Sequence, residues 1–187
     1  MGMEEEYAWV IDFLPGGRSS ERSGEPIAQL CGERFFTLFE VSVKPGHILS
    51  FGQRIYIGQA ERAEVDRIKK RLSFEELTGT ARTELPNCLA KILQYREADF
   101  VGFFNRAGPL SVRLHQLELI NGIGKRHLTQ ILEAREQKAF ESLADIHARL
   151  PLMPDPTQLL VNRIMDEMQA KVHQHYLFVR PPRAEDR

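Results

Sequence analysis

The chain has 187 residues, enough for one large domain or two small ones, each with its own core. Its 42% hydrophobic and 27% charged content is that of an ordinary globular protein, and no apolar run approaches the roughly 20 residues that span a bilayer. With 25 basic and 26 acidic side chains the net charge is −1, which excludes a general polycationic binder of nucleic acid.

The opening Met-Gly-Met-Glu-Glu-Glu is acidic and fits neither a secretory signal nor a transit peptide, and Glu6 stands where a myristoylation signal wants Ser or Thr. A cytoplasmic protein without a membrane partner is therefore expected. From Tyr7 the pattern is β: Tyr7, Trp9, Ile11 and Phe13 alternate with Ala8, Val10 and Asp12, so Trp9 reads as a core residue. Residues 15–26, rich in Pro, Gly and Ser, form a mobile loop carrying Arg18 and Arg22. Phe35, Thr37, Phe39, Val41 and Val43 lie on one face of a long strand, Lys44-Pro45-Gly46 makes a turn, and "GQRIYIG" is another short strand. Short strands joined by glycine-bearing turns predict a small antiparallel barrel over residues 1–60, OB-like in character.

After Gly58 the pattern changes. Val65, Ile68 and Leu72 stand at helical spacing around Lys69, Lys70 and Arg71, and Ser73 with Glu76 makes a capping box. Pro86 opens a helix with Leu89, Ile92 and Leu93 as its stripe. Residues 61–107 are thus expected as a helical connecting region, 108–175 as an all-α domain, and 176–187 as a C-terminal tail. The fold class is α+β.

Within the α domain, Gly108-Pro109 starts a helix with Leu110, Leu114, Leu117 and Ile120 on one face, and Leu128, Ile131, Leu132 and Arg135 mark a second. Between them lies Asn121-Gly122-Ile123-Gly124-Lys125-Arg126-His127. Asn121 and Gly122 can take left-handed conformations, Ile123 can point inward, and Gly124 leaves the backbone open at the start of the second helix. Amides at a helix N-terminus lack intrahelical acceptors and attract anions, and Lys125 and Arg126 add charge beside them. His127 is an auxiliary contact. The alternative is a plain packing or protein-contact element.

A further helix pair follows, with Phe140, Leu143, Ile146 and Leu150 as one stripe. In the other, Asp155 caps, Pro156 stands in the first turn, and Leu160, Ile164, Met168 and Val172 are buried. Its connection has no glycine and is assigned to packing. Around the barrel, Arg18, Arg22, Arg54, Tyr56, Lys69, Lys70 and Arg71 are candidates for secondary nucleic-acid contacts.

The pattern from Leu117 to His127 resembles the helix-hairpin-helix motif, which binds backbone phosphates without reading sequence. The chain as a whole resembles an archaeal family of uncharacterised proteins that carry a domain of unknown function and are predicted to bind nucleic acid, RNA favoured over DNA. "YAWVIDFLPGG", "FGQRIYIG", "LTGTARTEL" and "FVGFFNRAGPLSVRLHQLELINGIGKRHLTQILEAR" carry the resemblance, with "FESLADIHARLPLMPDPTQLLVNRIMDEM". The family pattern usually has Pro where Asn121 stands. The resemblance implies an OB-like barrel joined to a helix-hairpin-helix domain and leaves the substrate open.

No catalytic motif, metal-ligand spacing or cofactor fingerprint is present, so a non-enzymatic protein without metal or cofactor is expected. His173 and His175 read as solvated. Cys31 and Cys88, with no C-x-x-C spacing, read as buried thiols, able to pair only if the fold brings them together. A protein-docking module is the alternative function.

Overall fold

The computed structural model describes residues 5–20, 22 and 24–181. Two compact units divide the chain: Met1–Leu89 with Glu167–Arg187, and Ala90–Asp166.

The first unit is built on five antiparallel strands, β1 (Tyr7–Leu14), β2 (Ile27–Gly32), β3 (Leu38–Val43), β4 (Arg54–Tyr56) and β5 (Val65–Leu72). Their order is β4-β1-β2-β3-β5, and the sheet is not closed: β4 and β5 are its edges. Ala8, Val10, Ala28, Leu30, Phe39, Val41, Val43, Ile55 and Val65 belong to one buried cluster. A bulge between Val10 and Asp12 resets the alternation of β1, so Ala8 and Val10 belong to this core and Phe13 packs against it. Trp9 is consequently half-buried, and its indole N–H donates to Glu33 at 2.9 Å.

Two expected elements differ here. The long strand breaks at residues 33–37, because the buried Glu5 carboxylate accepts the amides of Arg34 and Phe35, each at 2.7 Å, and of Thr37 at 3.3 Å. Burial pushes the Glu5 carboxyl up from its ordinary pKa, and these amides pull it back. The expected helix at Val65–Leu72 is the edge strand β5. Its pairing runs from Leu38–Leu72 to Val43–Val65 with two register shifts, so seven steps on β5 match five on β3. Two bulges erase the period of two and leave apolar residues at helix-like intervals. The exposed charges of β5 suit an unpaired sheet edge.

Ser73 then donates its amide to Glu76 at 2.8 Å, opening a 3₁₀ turn at Phe74–Glu76. Helix α1 (Gly79–Tyr95) follows, with Thr78 Oγ1 accepting the Ala81 amide at 3.1 Å. Pro86 lies inside α1 and not at its start, while Leu89, Ile92 and Leu93 are buried as their spacing predicts.

The second unit holds α2 (Glu97–Arg106), a 3₁₀ turn (Gln116–Leu119), α3 (Lys125–Gln137), α4 (Leu143–Arg149) and most of α5 (Pro156–Met168). Phe140, Leu143, Ile146, Leu150, Leu160 and Ile164 are buried, as the sequence predicts, and Pro156 does open α5. The helix expected from Gly108 does not form. Pro109 bridges to His115, and Gln116 ties the ends: its amide donates to Gly108 O at 3.0 Å and its side chain accepts the Gly108 amide at 2.9 Å. Leu110 and Val112 are left exposed on that loop, and the hairpin is entered from a single 3₁₀ turn.

Among the described residues no helix is long and apolar enough to cross a membrane, and no group of three or more His, Cys, Asp or Glu could hold a metal. Met168 and Val172 are half-buried and His173 and His175 exposed; the expected tail from Pro182 onward lies outside the described residues.

Cys31 and Cys88 are both buried and free, and the fold does bring them near each other, the Cys31 thiol donating to Gly32 O at 3.7 Å. The neighbouring Cys88 and burial push the Cys31 pKa well above the ordinary thiol range, so Cys31 presents no reactive thiolate. Neither cysteine should react with an aromatic disulfide reagent in the native protein, and both should react in denaturant. Rapid native labelling of either would contradict this packing.

Candidate functional site

The hairpin between the 3₁₀ turn and α3 forms an open concavity of about 530 Å³ lined by Glu118 and residues 120–127. Gly122 has φ +101°, a conformation L side chains rarely adopt, and a Cβ there would lie 2.7 Å from Leu159 Cδ2. Asn121 is not left-handed; its side-chain amide donates to Asp166 at 3.3 Å. Ile123 is 3% exposed, so the apolar tip does point inward.

Gly124 differs from Gly122. Its backbone is extended, at φ −92° and ψ −173°, and nothing lies within 4 Å of where its Cβ would be. It is the N-cap of α3 and supplies no side-chain cap, and Lys125, Arg126 and His127, the first residues of that 13-residue helix, line the concavity. Arg126 is exposed and makes no ion pair or hydrogen bond among the described residues. His127 Nδ1 lies 3.0 Å from Gly122 O, an arrangement in which Nδ1 carries the proton.

Lys125 is less available. Its ammonium sits 2.7 Å from Glu118 Oε1 and donates to Arg113 O at 3.1 Å. That ammonium, with the His115 amide, holds the Glu118 carboxyl below the usual carboxylate range. Arg163, 7% exposed, donates to Leu119 O at 2.6 Å, and Arg135 donates to Phe104 O at 3.1 Å and Ala107 O at 2.8 Å. These arginines, with Glu118 and His115, build the frame of the hairpin and were not signalled by the motif. The only hint was local: Glu118 falls three residues after His115, the spacing of a capping pair.

The other expected contacts lie in the first unit. Arg18 is committed to the buried Glu40 at 2.5 Å. Arg54 chelates Glu33 at 2.5 and 3.0 Å and lies 3.5 Å from the centroid of the Tyr7 ring. Tyr56 stacks edge-on against Tyr7 and accepts the Ala60 amide at 3.0 Å. Lys69 and Lys70 pair with Glu25 (3.8 Å) and Glu76 (2.7 Å). Arg22 and Arg71 are exposed. Arg18 cannot leave without removing the charge partner of a buried carboxylate, whereas the Lys70–Glu76 pair is exposed and of the weak kind that solvent exchanges.

Gly122→Ala should cost about 1–3 kcal/mol in denaturant unfolding, and Gly124→Ala less than about 1 kcal/mol. Equal costs would mean that the left-handed turn is not what holds the hairpin. His115 is 8% exposed and its Nδ1 accepts the Leu117 amide at 3.1 Å, which requires a neutral ring. Burial, with Arg135 and Lys125, holds its pKa below the ordinary histidine range against the opposing pull of Glu118. The unfolded chain therefore takes up this proton first, and the contribution is present above about pH 6.5 and lost as pH falls through the folded value. Stability should decline as pH falls below about 6.5, and His115→Asn, which keeps an acceptor for Leu117, should flatten that part of the profile. An unaltered profile in His115→Asn would assign the pH dependence elsewhere.

The chain is similar over nearly its whole length to known proteins. The uncharacterized protein MJ0038 of Methanocaldococcus jannaschii is 38% identical over 177 residues, 94% of this chain and 80% of that protein. The crystal structure of Af1531 from Archaeoglobus fulgidus superposes with a TM-score of 0.89 at 40% identity, covering 94% of this chain and 100% of that one. The model of a protein family of unknown function matches residues 4–180. By that match and these relatives, the chain belongs to the DUF655 family.

Proposed function

We propose that this protein is a non-enzymatic nucleic-acid-binding protein, RNA favoured over DNA, that contacts backbone phosphates largely independently of sequence through the Gly122–His127 hairpin. Gly124 carries this reading. The fold gives no conformational or steric reason for glycine there, since its backbone is extended and its Cβ position is open. Close approach of a phosphodiester to the first amides of α3 does give a reason. Arg126 stands beside them with its charge exposed. Lys125 joins by exchanging Glu118 for phosphate, its own end of the ion pair being open to solvent.

The first unit supports an OB-like platform for a second contact. Its core cluster contains Ile55 from one edge strand and Val65 from the other, as in a strongly curled sheet. Arg22, Lys69, Lys70 and Arg71 are its cationic candidates. A second reading, docking of a protein partner by the helical unit, is favoured by Leu110 and Val112, which are 39% and 106% exposed.

The test compares wild type with Lys125→Ala/Arg126→Ala on single- and double-stranded RNA and DNA across a salt series. The double mutant should bind at least about tenfold more weakly at low salt, and its log–log salt slope should shrink by about 0.7–0.9 for each phosphate that it no longer neutralises. Glu118→Gln should bind more tightly than wild type, because it releases Lys125 and removes a negative charge beside the phosphate. Unchanged affinity in a folded double mutant would remove the hairpin from the interface. Failure of the wild type to bind any nucleic acid at low salt would overturn the reading in favour of a protein partner.

A further inference from the structure

The loop between α2 and the 3₁₀ turn at Gln116–Leu119 is a small ordered projection. Pro109 bridges to His115, and the amides of Leu110 and Ser111 donate to Leu114 O at 2.8 and 3.1 Å. The Arg113 amide donates to Ser111 Oγ at 3.2 Å, so the apex is Ser111-Val112-Arg113. This apex is fastened to the hairpin, because the Lys125 ammonium donates to Arg113 O at 3.1 Å. Loop and hairpin are thus neighbours on one surface, and a surface ordered in advance loses little freedom when a partner binds.

Turn tips ordinarily carry Gly, Asn, Asp or Ser, and a stiff β-branched residue gains nothing there from its backbone. Val112 nevertheless occupies this one and is fully open to water, with the part-exposed Leu110 on the same loop. Packing within the chain gives Val112 no task. Charge surrounds it. Arg113 is exposed and its guanidinium makes no ion pair or hydrogen bond among the described residues, and Lys125 and Arg126 follow at the hairpin. From Gly108 to His127 the one acid is Glu118, which is held ionised between Lys125 at 2.7 Å and the His115 amide at 2.9 Å. From α5, Arg163 and Asp166 reach the hairpin at Leu119 O (2.6 Å) and Asn121 (3.3 Å) with opposite charges. The excess is positive.

An apolar protein patch seated on Val112 would leave Arg113 and Arg126 to be desolvated without return. A nucleic-acid strand supplies phosphates for the cations and an apolar ring face between them. Duplex RNA instead turns phosphates and 2′-hydroxyls outward, and Val112 would desolvate those hydroxyls. Wedging the side chain between stacked base pairs costs more than burying one valine returns. An unpaired nucleotide exposes its ring at no such cost.

We propose that the Leu110–Arg113 loop extends the hairpin into a site for an unpaired RNA segment. Val112 packs on the base or ribose of the nucleotide next to the phosphate at the hairpin, and Arg113 takes a neighbouring phosphate. The proposal rests on the nucleic-acid reading of the hairpin and adds to it the single strand as target.

The experiment measures binding of the full chain to a single-stranded RNA of about 12 nucleotides, and to the duplex it forms with its complement, across a salt series. Wild type should bind the strand at least about fivefold more tightly than the duplex. Val112→Ser removes an apolar contact and no charge. It should weaken strand binding by about threefold to fivefold with the salt slope unchanged, and leave duplex binding as it was. Arg113→Ala should reduce the log–log slope for the strand by about 0.7. Both side chains are exposed, so neither variant endangers the fold. Indifference of the strand to Val112→Ser, an equal loss on strand and duplex, or a wild type that prefers the duplex would each overturn the proposal. Loss in Lys125→Ala/Arg126→Ala without loss in either loop variant would sink the loop and spare the proposed function. Loss in the loop variants with none in that double mutant would do the reverse. No binding of strand or duplex at low salt would overturn both and give Leu110 and Val112 to a protein partner.

Discussion

Backbone groups that leave regular structure cannot remain unpaired once they are buried, and in this chain charged side chains take them up. Glu5 gathers three amides of the turn at residues 34–37, and Glu167 gathers three consecutive amides at residues 177–179. Arg135 takes two carbonyls at the end of α2, and Arg163 takes that of Leu119 just before the hairpin. A carboxylate bonded by several amides, or a guanidinium by carbonyls, replaces lost hydration with fixed dipoles. Each of these charges thereby sets the path of a loop that has no regular structure to hold it. The hairpin concavity is bordered by a loop held in this way.

The hairpin shows how packing and exposure divide within a few residues. Gly122 is required by its left-handed backbone and by Leu159 beneath it, and Ile123 closes the interior. Gly124 is required by neither, and Lys125 shares its charge with Glu118. The structural glycine and the exposed glycine are thus different residues, although in the sequence they look equivalent. Much of the positive charge expected elsewhere is already engaged. Arg18 and Arg54 hold the sheet together, while Lys70 sits in an exchangeable surface pair.

The amphipathic stripes of the second unit were legible because nothing interrupts their period. Phe140, Leu143, Ile146 and Leu150 fall on one buried face, as do Leu160 and Ile164 after the cap at Asp155 and Pro156. The strands were legible only where no bulge intervenes. One bulge put Ala8 and Val10, not Trp9, in the core, and two bulges made β5 imitate a helix. A bulge depends on the partner strand, so no local pattern announces it. The loop from Gly108 to His115 departs from its sequence pattern for a related reason. Leucine spacing there favours a helix, but Gln116 closes the loop onto Gly108 and leaves Leu110 and Val112 outside.

The sequence by itself determined the mixed α and β composition, the glycine turn with Ile123 inward, the caps and stripes of the later helices, and the family resemblance. These are properties of short windows, set by side-chain volume, backbone freedom and periodicity. Tertiary structure alone decided that the sheet stays open, that Cys31 lies near Cys88, that Lys125 leans on Glu118, and that the segment after α5 walls a cleft. Each of those outcomes joins groups whose contact depends on how intervening turns and bulges direct the chain. No window of sequence contains that geometry.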